Sequence, residues 1–291
     1  MEALINKRKP QEAEKEFARL SRLFDQHKVG LNRFRNGLTM LTKGYEAAGK
    51  EVRDTNPDLA AAYARKSSDY LLKLTEVGGI SGSEFDNTLI TADRYYKQAE
   101  GNPGTSKSDY ESARKLYENI LTVYQAKVDE QAATDTEPSL RYRIEYRIVK
   151  CLIGEGNFVD SDLKLAVLMQ SEEGKQDLDL FELKGDGLGK LARETQGDAR
   201  AEKYGQAAEM FGKAAAVYNQ NRTRGARFEE GYFRNLIKWG KALMEFSEGL
   251  KTLKKYFDAA KARGESPEWG GSKWKDELNQ LEAALRALDP K

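Results

Sequence analysis

Apolar positions recur at steps of three and four along almost the whole chain. Tyr204, Ala207, Phe211, Ala214 and Tyr218 show the pattern most clearly. Such steps line one face of an amphipathic helix, here with small residues set between aromatics. Tyr110, Ala113, Tyr117, Ile120 and Tyr124 repeat it 94 positions earlier with every step identical. The pattern predicts twelve helices, over 10–29, 31–48, 57–77, 85–99, 108–133, 138–153, 159–170, 177–195, 198–221, 225–246, 247–263 and 272–288, and no strand. Asn56-Pro57 reads as an N-cap followed by proline in the first turn. Ser108 or Asp109, and Asp198, are the expected caps of two later helices. Gly30 and Gly49 read as C-terminal stops, and Gly78-Gly79, the 101–104 loop and the 264–271 loop as breaks. Gly185, Gly187 and Gly189 weaken the helix expected over 177–195.

The second position of each copy gives anchors at 13, 63, 113, 163, 207 and 253. The first three intervals are 50 residues and the last two are 44 and 46. Ala13, Ala113 and Ala207 fill the anchor, whereas Tyr63, Leu163 and Leu253 depart from it. The copy at Leu163 is weakest, because Asp160 and Gln170 fall where apolar groups are expected. Regular spacing over six sites is the mark of an internal repeat.

Ala207-x3-Phe211-x2-Ala214 has the small–aromatic–small spacing of the second helix of the tetratricopeptide repeat. Leu236, Trp239, Gly240 and Leu243 keep the spacing of its first-helix signature, with apolar substitutions at both ends. The chain thus resembles the tetratricopeptide repeat family, with repeats longer than that family's 34 residues. The resemblance implies one all-α domain over 1–291, a right-handed α-solenoid of antiparallel helix hairpins closed by the helix at 272–288. First helices would then be 31–48, 85–99, 138–153, 177–195 and 225–246, lining a concave groove that takes a partner segment. A register shifted by one helix, with 10–29 and 31–48 as the first hairpin, stays open.

Two of those first helices carry cations at i, i+4 and i+7, which places three on one face. They are Arg143, Arg147 and Lys150, with Tyr146 between them, and Arg234, Lys238 and Lys241. Facing the groove, they would hold an acidic peptide or a C-terminal carboxylate; otherwise they form a solvated face paired with acids such as Glu145 and Glu230. Tyr142, Tyr232, Phe233 and Trp239 read mainly as core, and Trp269 and Trp274 as seals of the last hairpin or anchors for a partner.

Composition narrows the chemistry. Lys plus Arg number 48 and Asp plus Glu 47, so the net charge of +1 gives no field for generic nucleic-acid binding. No apolar run reaches the ~20 residues of a membrane span. Cys151 is the only cysteine and His27 the only histidine, which excludes an internal disulfide and leaves no Cys–His pair or zinc set in sequence. The glycines at 185–189 fit neither a P-loop nor a dinucleotide fingerprint. No catalytic, cofactor or metal residue is assigned. The function expected is a non-enzymatic interaction scaffold for a protein or peptide. The second reading is an architectural, self-associating solenoid, with the 10–29 helix as the first place to look. The compartment stays open between cytoplasm and periplasm, as does a fragment of a longer chain.

Overall fold

The computed structural model describes residues 1–77, 85–101, 106–131, 137–262 and 274–288. Those residues form fourteen α-helices, one 3-10 turn and no strand. They are α1 (Glu2–Asn6), α2 (Pro10–Asp25), α3 (Leu31–Val52), α4 (Pro57–Glu76), α5 (Phe85–Gly101), α6 (Ser106–Val123) and α7 (Gln125–Glu130). Then come α8 (Leu140–Glu155), α9 (Phe158–Gln170), α10 (Asp179–Glu194), α11 (Asp198–Gln220), α12 (Ala226–Leu243), α13 (Ser247–Ala262) and α14 (Lys275–Leu288). All twelve expected helices are present. The two extra ones are short: α1, and α7, which a break at Tyr124 separates from α6. The loop glycines at 78–79, 102–104 and 264–271, the 134–136 connector, Trp269 and the Ala260 side chain lie outside the described residues.

The chain divides into two compact units, Met1–Ile144 and Glu145–Lys291. In the first, α2, α3 and α4 pack in sequence order. Phe24 stacks on Phe34 with ring centres 4.3 Å apart, Phe17 lies 5.3 Å from Phe34, and Tyr45 lies 6.0 Å from Tyr70. Contacts run in opposite directions along α3 and α4, with the Ser67 hydroxyl donating to the Thr42 carbonyl and Gly49 against Ala60, so the pair is antiparallel. A β-carbon on Gly37 would sit 2.8 Å from Leu20 Cδ2, so this glycine lets α2 approach α3 closely. Glu14 ties the three helices together. It accepts from the Tyr45 and Tyr70 hydroxyls, each at 2.5 Å, and from Lys66 Nζ at 2.7 Å. The same antiparallel arrangement joins α5 to α6, where Tyr117 donates to Asp93 at 2.6 Å and Phe85 meets Tyr124 edge to face.

In the second unit α10, α11 and α12 pack consecutively, and α12 continues onto α13 and α14. Tyr204, Ala207, Phe211, Ala214 and Tyr218 are all buried. The Tyr204–Tyr218 stretch is therefore core, and Phe211 packs where Gly185 leaves room: a β-carbon there would be 2.6 Å from the ring. The glycines of α10 do not interrupt the helix, and Gly185 is the one that admits α11; Gly187 faces Ile153 of α8 and Gly189 has no neighbour within 4 Å. Phe233 is fully buried, as is Cys151 on α8, which forms no disulfide.

Four punctuation marks are corrected. Gly30 is the N-cap of α3, since α2 has already ended at Asp25. Gly49 does not stop α3, which continues to Val52; it is buried, and a β-carbon there would lie 3.4 Å from Tyr63 Cβ. Asp109 lies inside α6, buried and paired with Arg65 at 3.2 Å. Gly197, at φ +64°, is the cap of α11, and Asp198 is its first residue. The anchor at 163 is also displaced: Leu163 is 64% exposed, while Ser161, Leu165 and Leu168 are buried. With Ser161 in its place the intervals on either side become 48 and 46 residues.

Candidate functional site

The cations expected to line a groove are placed very differently from one another. Glu182 and Asp186, one turn apart on α10, face Arg234 and Lys238, one turn apart on α12. Arg234 Nε and Nη2 donate to the two Glu182 oxygens at 2.8 and 2.6 Å. Lys238 Nζ donates to Glu182 at 2.8 Å and to both Asp186 oxygens at 2.7 and 2.8 Å. Asn235 Nδ2 adds a bond to Glu182 at 3.0 Å. The rungs cross the face of α11, with Lys238 lying 5.6 Å from the centre of the Phe211 ring. The Tyr218 hydroxyl donates to Asp179, which also lies 3.6 Å from Arg234.

Desolvation and pairing act against each other here. Burial raises the Glu182 carboxyl, but the hydrogen bond from Arg234 and the charge of Lys238 override it and hold the group down at about 2. Its bond to Glu182 in turn pushes the Arg234 guanidinium up. Burial raises Asp186 despite Lys238, and burial lowers Lys190. The Tyr146 phenol is pushed up by burial and then by the charges of Asp179, Asp177 and Glu182. This ladder fixes α10 to α12. Its cations are already engaged by acids of the same chain.

The other expected site residues are scattered. Lys241 is largely exposed, 3.7 Å from Glu277. Arg143 lies 3.3 Å from Glu137 within the first unit. Arg147 and Lys150 are half-buried further along α8.

A different group of cations surrounds an open groove in the first unit. A cavity of about 440 Å³ lies among α3, α4 and α5. It is lined by Ala60 and Ala64 with Thr39, Thr42, Ser67 and Thr91, the buried Leu71 and Leu74 behind them, and Lys43, Lys50, Arg53, Arg94 and Glu46 around it. Arg94 is held in place by donating to the Ala64 carbonyl at 3.3 Å and the Ser68 hydroxyl at 3.0 Å. Lys50 is paired with Glu46 at 2.8 Å. Lys43 and Arg53 are exposed and make no hydrogen bond or ion pair with the described residues. On the rim, Ile90 is 56% exposed. Lys43, Lys50 and Arg53 share a face of α3 at steps of seven and three, a signal present in sequence but interrupted by Glu46 and Glu51.

No group of His, Cys, Asp and Glu among the described residues could hold a metal ion, and no helix there is long and apolar enough to cross a membrane. His27 is exposed, with φ +55°, just beyond the end of α2. Compared with known proteins, the chain matches no family model, no curated protein and no solved structure.

Proposed function

We propose that this chain is a non-enzymatic interaction module of tetratricopeptide-like helical hairpins, and that the groove among α3, α4 and α5 holds a segment of a protein partner. The observation that carries the reading is the pair of exposed cations on that groove: Lys43 and Arg53 have no partner among the described residues and stand over a lining of mixed apolar and hydroxyl side chains. An extended segment bearing carboxylates would answer the cations, while its apolar side chains rest on Ala60, Ala64 and Ile90. Repeat spacing supports the solenoid part of the reading, and antiparallel packing of α3 with α4, α5 with α6, and α10 with α11 is consistent with it.

A random peptide library displayed on phage tests the proposal. Panning on the intact chain is expected to enrich acidic peptides with interspersed apolar residues, and a Lys43→Glu/Arg53→Glu variant is expected to lose them. Equal recovery on the variant would sink the groove assignment. The architectural reading is favoured by a separate observation on α9.

A further inference from the structure

Helix α9 is apolar on two opposite sides. Ser161, Leu165 and Leu168 are buried against the second unit. Val159, Leu163 and Val167 point the other way, 73%, 64% and 70% exposed. Among the described residues seven large apolar side chains are exposed, and three of them stand on this one helix of 13 residues. Their steps of four, with exposed Ala166 beside them, make a stripe about 100° wide, the width of a core-facing helix surface. Beside the stripe, apolar surface continues into a cavity of about 690 Å³ lined by Leu163, Leu188, Leu191 and Met210. A helix apolar all round is ordinarily covered on both sides.

The charges flanking the stripe identify what covers it. Asp160 and Lys164 lie one turn apart on the edge next to Val167. Lys164 has no partner among the described residues. Asp160 gives one oxygen to the Asn157 amide at 2.7 Å and keeps the other for a further donor. On the opposite edge Asp162 is already answered by Lys184 at 3.2 Å. Two copies of α9 packed antiparallel about a two-fold axis at Leu163 bring the same edge of each helix together, because the axis is normal to the plane of the pair. With a rise of about 1.5 Å per residue, Asp160 then stands about 3 Å along the axis from Lys164 of the second copy, and the reciprocal pair forms as well. Val159 meets Val167 of the second copy, and Leu163 meets itself.

We infer that α9 is a homodimer interface, in which Val159, Leu163 and Val167 pack against the same stripe of a second chain and Asp160–Lys164 pairs set the antiparallel register. This inference is independent of the groove on α3–α5, and either can fail alone.

Sedimentation of the intact chain over a concentration series tests it, with circular dichroism confirming that each variant is folded. The wild type is expected to pass from monomer to dimer. Leu163→Arg is expected to weaken the dimer by about 100-fold, as for a central interface residue. Lys164→Asp is expected to weaken it roughly tenfold at low salt, and the double swap Asp160→Lys/Lys164→Asp to restore it. Register is read separately by cysteine pairs: Val159→Cys mixed with Val167→Cys is expected to cross-link faster than Val159→Cys alone. The buried Cys151 does not compete. A wild type monomeric throughout, or a dimer unaffected by Leu163→Arg, overturns the proposal. A dimer broken by Leu163→Arg, and weakened by Lys164→Asp without recovery in the double swap, overturns the antiparallel register.

Discussion

The second unit and the first use the same cationic side chains to opposite ends. On α12, Arg234 and Lys238 point at Glu182 and Asp186 of α10, and every strong donor ends on an acid of the same chain. Lys43 on α3 and Arg53 at its C-terminal cap line an open groove and meet no acid among the described residues. Local spacing does not distinguish them: both are basic residues on one face of a long helix. What differs is the neighbouring helix. A buried charge costs several kcal/mol unless it is paired, so the α12 cations became structural once α10 supplied its acids. Solvated cations carry little such cost and stay available to something outside.

The comparison can be broken first where the effects are largest. Glu182→Ala removes the acid that Arg234 and Lys238 share, leaving Lys238 on Asp186 and Arg234 with only Asp179, 3.6 Å away. Urea unfolding is expected to show a loss of about 3–5 kcal/mol. Glu182→Gln, which keeps the volume, is expected to lose less. If either variant matches the wild type, the ladder contributes no stability and the distinction between the regions fails.

The pH dependence comes next. The Glu182 carboxyl titrates at about 2 in the folded chain, against 4.5 ordinarily. A depressed carboxyl contributes stability that is fully present above the unfolded value and lost as pH falls through the folded one. Stability is therefore expected to drop by about 3 kcal/mol between pH ~5 and ~2 on this account. Asp186, raised by burial, works in the opposite direction over its own range and softens the slope. Denaturant midpoints of wild type and Glu182→Gln across that range check it. Parallel profiles would assign the acid lability elsewhere.

Gly185→Ala probes how closely α10 approaches α11. With the new β-carbon 2.6 Å from the Phe211 ring, overpacking is expected to cost about 1–3 kcal/mol, although alanine is the better helix former. A neutral or stabilised variant would mean that the ring moves aside freely. The smallest effect belongs to the groove. Lys43→Glu/Arg53→Glu is expected to change stability by no more than about 0.5 kcal/mol by thermal or urea unfolding. A large loss would show that those cations, too, are structural.

Much of the helical layout was legible in sequence because burial imposes a period. The Tyr204–Tyr218 face and its copy at Tyr110–Tyr124 needed only a step count, and Pro57 marked a start for reasons local to the backbone. Gly49 reads in sequence as a stop, and Gly185 as a weak point in its helix, because close packing and helix termination call for the same residue. Only the partner distinguishes them: Tyr63 beside Gly49, Phe211 beside Gly185. Leu163 reads in sequence as an inward anchor because α9 has two apolar faces, and a periodic pattern does not say which one a neighbour covers. The pairing of Glu182 with Arg234 spans 52 positions. Nothing in either local sequence encodes it, so the same i, i+4 cations read equally well as a binding face or as half of a clamp. The groove on α3 is hidden in sequence because Glu46 and Glu51 make that stretch look balanced, whereas among the described residues Glu46 pairs with Lys50 and Glu51 lies 3.8 Å from Arg8.

Cys151 offers a way to time these events. Its thiol is fully buried on α8, and the chain has no other. A thiol reagent in solution therefore reacts only when α8 lifts from its neighbours. The labelling rate divided by that of an exposed thiol gives the fraction of time spent open. Measured in Glu182→Ala and in Lys43→Glu/Arg53→Glu, that fraction would report whether loosening the ladder, or recharging the groove, reaches the interior at α8.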